Sequence, residues 1–397
     1  MKQVMKKIKV GIIGSGFSAL AHVEALRRLP DIEVVAISSR NKEKVDKIAA
    51  EFHIRQAYAD PHELIHDPHV EVVHNCTPNH LHYEFNRDTL LAGKHLLSEK
   101  PLGMNSKQTK ELVELSNKSP VVSGVCFNYR HFPLVRQLRD EIHSNKHGGV
   151  YHVHGGYLQD WCLYDTDYSW RMEQEKNGPS RAMADIGSHW CDITQYILGK
   201  RIVEVLADLK TVHNVRKKTK NQVSTFEKGD MFETQDVPIN TEDYGSVLIR
   251  FEDGVQGVFM VSQVAAGRKN HLFLEIATEH LSFSWKQEEP NKLWLGKRNR
   301  ANQELVRDPN LLSVEASQLT HVPAGHQEGW PDGLKNLMID FYGTIKGEVK
   351  NPSFATFQDG HQIVLLIEAI LRSHRNKQWV KVDNKRMDSE ILLGELH

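Results

Sequence analysis

The strongest constraint on this chain lies almost at its start, in Lys9-Val10-Gly11-Ile12-Ile13-Gly14-Ser15-Gly16-Phe17-Ser18-Ala19. The apolar run from Ile8 to Ile13 reads as a buried strand. It breaks on glycines, and apolar residues resume at helical spacing at Ala21, Ala25, Leu26 and Leu29. Gly14 permits a sharp turn. Gly16 withholds the Cβ that would keep a diphosphate off the backbone, and Ala19 is small enough for close helix–strand packing. The helix start that follows, with Phe17 and Ser18, presents N–H groups and a positive dipole end to phosphate. A second strand over residues 32–37 completes a βαβ unit, which is the context that turns a Gly-x-Gly-x-x-Ala string into a dinucleotide site.

The same alternation continues to about residue 124. Strand patterns over 70–76, 94–97 and 120–125 are separated by helical ones over 80–92 and 107–117, with Gly93 placed to end the former. This α/β order predicts right-handed crossovers and a doubly wound parallel sheet of the Rossmann type over residues 1–124. A chain of 397 residues has room for a second domain. From 125 the pattern changes to a helix over 132–143 and a strand over 150–158. Closely linked strands then follow over 202–209, 244–251, 254–264, 271–277 and 281–285. They predict an α+β domain over 125–375 with a large open, mainly antiparallel sheet, followed by a tail over 376–397. The charged segment 210–243 reads as a long mobile loop, and 356–374 as an amphipathic helix.

A net charge of −1 argues against nucleic acid or an anionic membrane surface as partner. No apolar run approaches bilayer length, and the N-terminal lysines lead into a strand rather than a signal sequence. Cys76, Cys126, Cys162 and Cys191 are widely spaced without a Cys-x-x-Cys, which predicts reduced thiols and a cytoplasmic setting.

Ligands of such a sheet bind outside the carboxyl ends of its strands. The second strand ends in Ser38-Ser39-Arg40, where NAD-binding folds usually carry a ribose-binding acid. With no carboxylate to repel a 2′-phosphate, Ser39 and Arg40 lean the choice between NAD and NADP slightly toward NADP. Two further strand ends are Cys76-Thr77-Pro78-Asn79-His80-Leu81-His82 and Ser98-Glu99-Lys100-Pro101. Glu99 and Lys100 read equally as a surface charge pair. At the mouth of a nicotinamide site, however, a lysine can polarise or deprotonate a substrate hydroxyl.

In the second half, Asp185, His189 and Asp192 share one face of a helix ending at Gly199. Three readings compete: a helix cap beside a packing histidine, a metal site, and a proton-transferring His189 with Asp185 orienting it or binding the substrate hydroxyl. No further ligand cluster supports the metal. The aromatic, acidic segment 159–171 offers Trp161, Tyr164, Trp170 and Arg171 as a sugar-gripping loop, and His326 sits in a late glycine-flanked loop that closes over the site or merely precedes a helix.

Several motifs occur together in a shared order: Gly11 to Gly16, Thr77-Pro78-Asn79 with His82, Ala92-Gly93-Lys94-His95, Glu99-Lys100-Pro101, Asn128-Tyr129-Arg130 and Asp185-Ile186-Gly187-Ser188-His189. In them the chain resembles the glucose–fructose oxidoreductase, inositol dehydrogenase and rhizopine catabolism (Gfo/Idh/MocA) family. The resemblance implies an NAD(P)-dependent dehydrogenase of a sugar, sugar derivative or cyclitol. It implies Lys100, His189 and Asp185 as catalytic residues, with Lys100 and His189 handling the hydroxyl proton. Gly11, Gly14, Gly16, Phe17, Ser18, Ser39, Arg40, Thr77, Pro78, Asn79, His82, Glu99, Lys100 and Asn128 are then expected at the cofactor. Arg130, Trp161, Tyr164, Trp170, Arg171, Asp185, His189 and His326 are expected at the substrate. No metal is expected, and the family precedent is a homodimer or homotetramer built through the second sheet. Two alternatives stay open: a glycosidase that oxidises transiently with no net redox change, and a non-catalytic dinucleotide-binding regulator.

Overall fold

A computed structural model of the protein describes residues 7–219 and 234–383. Its first sheet has six strands: β1 (Ile8–Ile13), β2 (Ile32–Ser38), β3 (Gln56–Tyr58), β4 (Val72–Asn75), β5 (His95–Ser98) and β6 (Ser123–Val125). Every pairing is parallel, in the order β3-β2-β1-β4-β5-β6. The crossovers carry helices α1 (Phe17–Arg27), α2 (Lys42–Glu51), α3 (Pro61–His66), α4 (His82–Leu91) and α5 (Ser106–Lys118). Because helices cover both faces, these strands run almost continuously buried rather than alternating. The strand order reverses direction beside β1, which opens the ligand crevice at the carboxyl ends of β1 and β4.

The second half opens with α6 (Pro133–His143) and β7 (Val150–Leu158), then α7 (Gln174–Asn177) and α8 (Ser188–Leu198). The strands that follow are β8 (Ile202–Lys210), β9 (Val215–Thr219), β10 (Thr234–Pro238), β11 (Tyr244–Phe251), β12 (Gln256–Ser262), β13 (His271–Thr278), β14 (Ser282–Lys286), β15 (Lys292–Gly296) and β16 (Gln303–Val306). Helices α9 (Val314–Ser317), α10 (Trp330–Ile345) and α11 (Phe357–Asn376) precede a short final strand, β17 (Val380–Lys381). Nine of these strands form one sheet in the order β16-β15-β14-β13-β7-β12-β11-β8-β17, antiparallel except where β7 meets β12. One face is covered by helices: the Trp190 ring of α8 stacks on Phe259 of β12 at 4.5 Å. On the other face alternate residues such as Leu248, Val258, Met260 and Trp294 stand exposed.

Three features depart from expectation. Segment 210–243 contains a two-stranded ribbon, β9 with β10, tied down because Arg216 and Arg181 converge on the buried Asp243 carboxylate. Residues 220–233 and 384–397 lie outside the described part, so the expected loop and tail can be followed only in portions. The tail's first residues extend the sheet instead, as β17 pairs with β8. Packing also crosses the boundary expected at 124. Helix α10 lies on the first sheet, where Leu337, Met338 and Phe341 join the core of Val10, Ile12, Val23 and Leu26.

Candidate active site

The glycine turn takes the shape its sequence demands. Gly14 has φ +127°, and a Cβ there would sit 2.5 Å from the Cys76 carbonyl oxygen, so no other residue fits. Gly16 caps α1 with no side-chain hydrogen bond, and a Cβ at this residue would meet nothing within 4 Å. Gly11 differs: it is buried in β1, where a Cβ would strike Leu64, so it serves strand packing and not ligand contact.

A single cavity of about 1550 Å³ follows the strand ends across the first sheet. In sheet order it is lined by Ser39, Arg40 and Lys44 beyond β2, by Gly14, Gly16, Phe17 and Ser18 beyond β1, by Thr77, Pro78 and Asn79 beyond β4, by Glu99 and Lys100 beyond β5, and by Asn128 and Tyr129 beyond β6. It then continues onto the second half, where Tyr157, Gln159, Trp161, Trp170, Arg171, Asp185, His189 and Asn270 complete it. Trp330, the first residue of α10, also lines it and packs on Phe17 with ring centroids 5.6 Å apart.

The polar centre is built by two elements that meet there. Lys100, whose bond to Pro101 is cis, leaves β5 and donates from Nζ to Asp185 Oδ1 at 2.8 Å and to the Asp185 carbonyl at 3.0 Å. Asp185 sits in a wide π turn over Met183–Gly187 that feeds α8, a local irregularity that aims the carboxylate at the cavity. Its second oxygen accepts from Gln263 Nε2 at 3.0 Å, and Arg171 lies 3.8 Å from it. Burial would raise the Asp185 carboxyl, but the Lys100 and Arg171 cations outweigh it and hold the group well below the usual carboxylate range. One turn on, His189 is 9% exposed, ringed edge-on by Phe127, Tyr129 and Tyr157. Burial, with the Lys100 charge nearby, pushes its imidazole down to about 3. The expected value near working pH is therefore not met in the ligand-free site: His189 stands neutral. No hydrogen bond links Asp185 to His189; the aspartate grips the lysine instead of orienting the imidazole.

Other expected residues divide. Trp161, Trp170 and Arg171 do form a stack, with the guanidinium 4.7 Å from the Trp170 ring centre and 6.0 Å from that of Trp161. Arg130 does not face the cavity. It is buried between Asp192, bound through Nε and Nη2, and Asp359 at 3.3 Å, and Asp192, so engaged, does not line the cavity that Asp185 and His189 share. Tyr164 is 60% exposed and His326 stands in the open beside the Pro323 carbonyl, both away from the cavity. His82 is buried under it, its ring nitrogens 2.5 Å from the Pro101 carbonyl oxygen and 2.7 Å from that of Thr77, so it staples the two strand-end loops together.

Sequence reasoning missed a polar wall made by Tyr129, Tyr157, Gln159 and Asn270. The two phenol oxygens are 2.8 Å apart, Tyr157 donates to Asn270 Oδ1, and Gln159 Nε2 donates to the same oxygen at 3.1 Å. Tyr129 stood inside a quoted motif. Gln159 opened the segment 159–171, while Tyr157 and Asn270 carry no local signal: they meet only because β13, which follows Asn270, pairs with β7 far from it in the chain.

A dinucleotide suits what is present. The helix N-terminus has no side-chain cap, the Gly16 cradle is open, and two residues that line the cavity, Asn128 and His189, each hold a buried nitrogen (Nδ2 and Nδ1) with no partner among the described residues. The three-residue metal reading around Asp192 fails, because its carboxylate belongs to Arg130.

Comparison with known proteins agrees with this geometry. Residues 8–127 match the oxidoreductase family NAD-binding Rossmann fold, and residues 135–284 match the GFO/IDH/MocA C-terminal domain. The chain belongs to the Gfo/Idh/MocA oxidoreductase family. It is 29% identical to levoglucosan dehydrogenase from Pseudarthrobacter phenanthrenivorans over 95% of this chain and 99% of that one. Among solved structures it is similar to an oxidoreductase domain protein from Kribbella flavida (TM-score 0.86, 28% identity, covering 95% of this chain and 100% of that one). It is similar too to levoglucosan dehydrogenase in complex with NADH and L-sorbose (TM-score 0.84, 27% identity, 95% and 99% covered). As a member of this family the chain is an NAD-type oxidoreductase acting on CH–OH groups.

Proposed function

We propose that the protein oxidises a secondary hydroxyl of an uncharged sugar, anhydrosugar or cyclitol. The observation that carries the reading is the convergence of Lys100, Asp185 and neutral His189 on the cavity that also holds the glycine turn. When bound, the nicotinamide supplies the hydride acceptor. The chain's own residues do the rest. The Lys100 ammonium, anchored by Asp185, donates to the substrate oxygen and stabilises the charge that develops on it. The neutral imidazole of His189, held among the Phe127, Tyr129 and Tyr157 rings, accepts the substrate hydroxyl proton. Trp161 and Trp170 offer ring faces, Gln159 and Asn270 offer amides, and the enclosing aromatics exclude water.

The cations at this end are already matched, Arg171 with Asp185 and Lys269 with Asp160 at 2.7 Å, which favours a neutral polyol over a sugar phosphate. At the other end Ser39, Arg40 and Lys44 can accept a 2′-phosphate, so we propose that NADP is used along with NAD. All four cysteines are free and buried, in keeping with a cytoplasmic enzyme. An exposed apolar patch on the nine-strand sheet, Leu248, Val258 and Met260 on β11 and β12, supports a homo-oligomer. Among the described residues no helix is long and apolar enough to cross a membrane.

A panel of neutral aldoses, anhydrosugars, inositols and glycosides, followed by nicotinamide absorbance with each cofactor, tests the reading. Reduction of free cofactor by a neutral member is expected. Consumption of a glycoside without any change in absorbance would instead establish the glycosidase.

A further inference from the structure

Beneath the cavity, three polar side chains lie where the surrounding packing is apolar. His22 of α1, His74 of β4 and Tyr342 of α10 are each at most 2% exposed. Their contacts form a line: Tyr342 Oη lies 2.8 Å from His74 Nε2, His74 Nδ1 lies 2.9 Å from His22 Nδ1, and His22 Nε2 lies 3.2 Å from Glu99 Oε1. All four imidazole nitrogens are thereby occupied. The rings are fixed as well, His74 stacked on Tyr342 and set edge-on to His22 at 89°. Phe341 and Leu337 sit in the same core, so hydrocarbon side chains would have filled this space at lower desolvation cost.

The line ends at the cavity. Glu99 lines it, and its other oxygen accepts the Lys100 backbone N–H at 3.2 Å, so both carboxylate oxygens are pinned. Glu99 and Lys100 both leave the end of β5, next in sheet order to the β4 loop, so they line the part of the cavity that follows the Gly14–Gly16 turn and the Thr77–Asn79 loop. Resting on the cofactor site of the proposed function, we propose that His22, His74 and Tyr342 are positioning residues that hold the Glu99 carboxylate against the nicotinamide end of the cavity, where it favours the oxidised, positively charged ring over the reduced one.

Two further observations agree. Burial would raise the Glu99 carboxyl, but the hydrogen bond and charge of His22, with Lys100 and His82, hold it down at about 2, so it is an anion throughout the working range. Burial, followed by the neighbouring His22, holds His74 well below the usual imidazole range, so it serves as a neutral hydrogen-bond link. The same place contains the one potential metal-ligand cluster found among the described residues, His22, Glu99 and Cys126, and here His22 Nε2 and both Glu99 oxygens are already engaged in the line of contacts described above.

The test is direct binding to the purified full-length protein, measured for the oxidised and reduced forms of whichever cofactor it binds, and for ADP-ribose, which lacks the ring. Glu99→Gln should lower the ratio Kd(reduced)/Kd(oxidised) about tenfold. Tyr342→Phe and His74→Phe should lower it several-fold, with the Kd for ADP-ribose unchanged in all three. A ratio unmoved in Glu99→Gln, or variants that weaken both forms and ADP-ribose alike, would overturn the proposal by showing a merely structural role. Stoichiometric zinc in the protein as purified, lost in Cys126→Ala, would overturn it by making Glu99 a metal ligand. If neither cofactor form nor ADP-ribose binds the wild type, the cofactor site itself is wrong.

Discussion

At the scale of single residues, burial decides which groups do chemistry. Arg130 has the fork that grips a sugar, yet it is spent on Asp192 and Asp359. Arg130→Ala should therefore cost stability, about 3–5 kcal/mol for a buried pair left with one partner, and leave substrate KM within a few-fold once refolded. A normal urea midpoint with a large rise in KM would restore the substrate role. His189 carries a second consequence. Between its folded value of about 3 and the ordinary imidazole value of 6.5, the unfolded chain takes up a proton that the folded chain refuses. Stability must fall as pH drops through that window, and His189→Gln should flatten the acid side of the Tm-against-pH curve. Equal slopes would mean that the histidine is not buried neutral. Lys100, Asp185 and His189 could be found in the sequence because each stands in a short motif. The misplacement of Arg130 could not be read there, since its partners lie far along the chain and the pairing exists only in the folded molecule. Tyr157 and Asn270 were invisible for the same reason.

Elements show where local pattern suffices. The strand–glycine–helix unit and the βα alternation follow from period and turn chemistry, and β1, α1 and β2 lie where the residues place them. The end of β2 makes a specific claim, since Ser39 Oγ lies 2.9 Å from Ser15 Oγ at the edge of the cavity. Ser39→Asp places a carboxylate where a 2′-phosphate would lie, and should shift kcat/KM from NADP toward NAD by at least tenfold, about 1.4 kcal/mol. An unchanged NAD/NADP ratio would refute the assignment of this rim to the ribose. The ribbon of β9 (Val-Arg-Lys-Lys-Thr) and β10 (Thr-Gln-Asp-Val-Pro) escaped detection because neither strand shows an apolar alternation. Only the folded structure shows Arg216 turned inward to Asp243.

For the whole molecule, helix α10 follows the second sheet in the chain but packs on the first, and the cavity is walled by residues of both halves. The exposed apolar patch of Leu248, Val258 and Met260 on the adjacent strands β11 and β12 is the surface we assign to subunit contact. Light scattering should give a dimer or tetramer for the wild type and a smaller species for a Val258→Glu, Met260→Glu double variant; a wild-type monomer would contradict the assignment. The central claim is that the lysine of the first sheet and the histidine helix of the second half serve one bound cofactor. It is tested most directly by Lys100→Met, with cofactor Kd and kcat on the best neutral polyol measured side by side. The account predicts a Kd within a few-fold of wild type and a kcat lower by roughly 10²–10⁴. An undiminished kcat would contradict it.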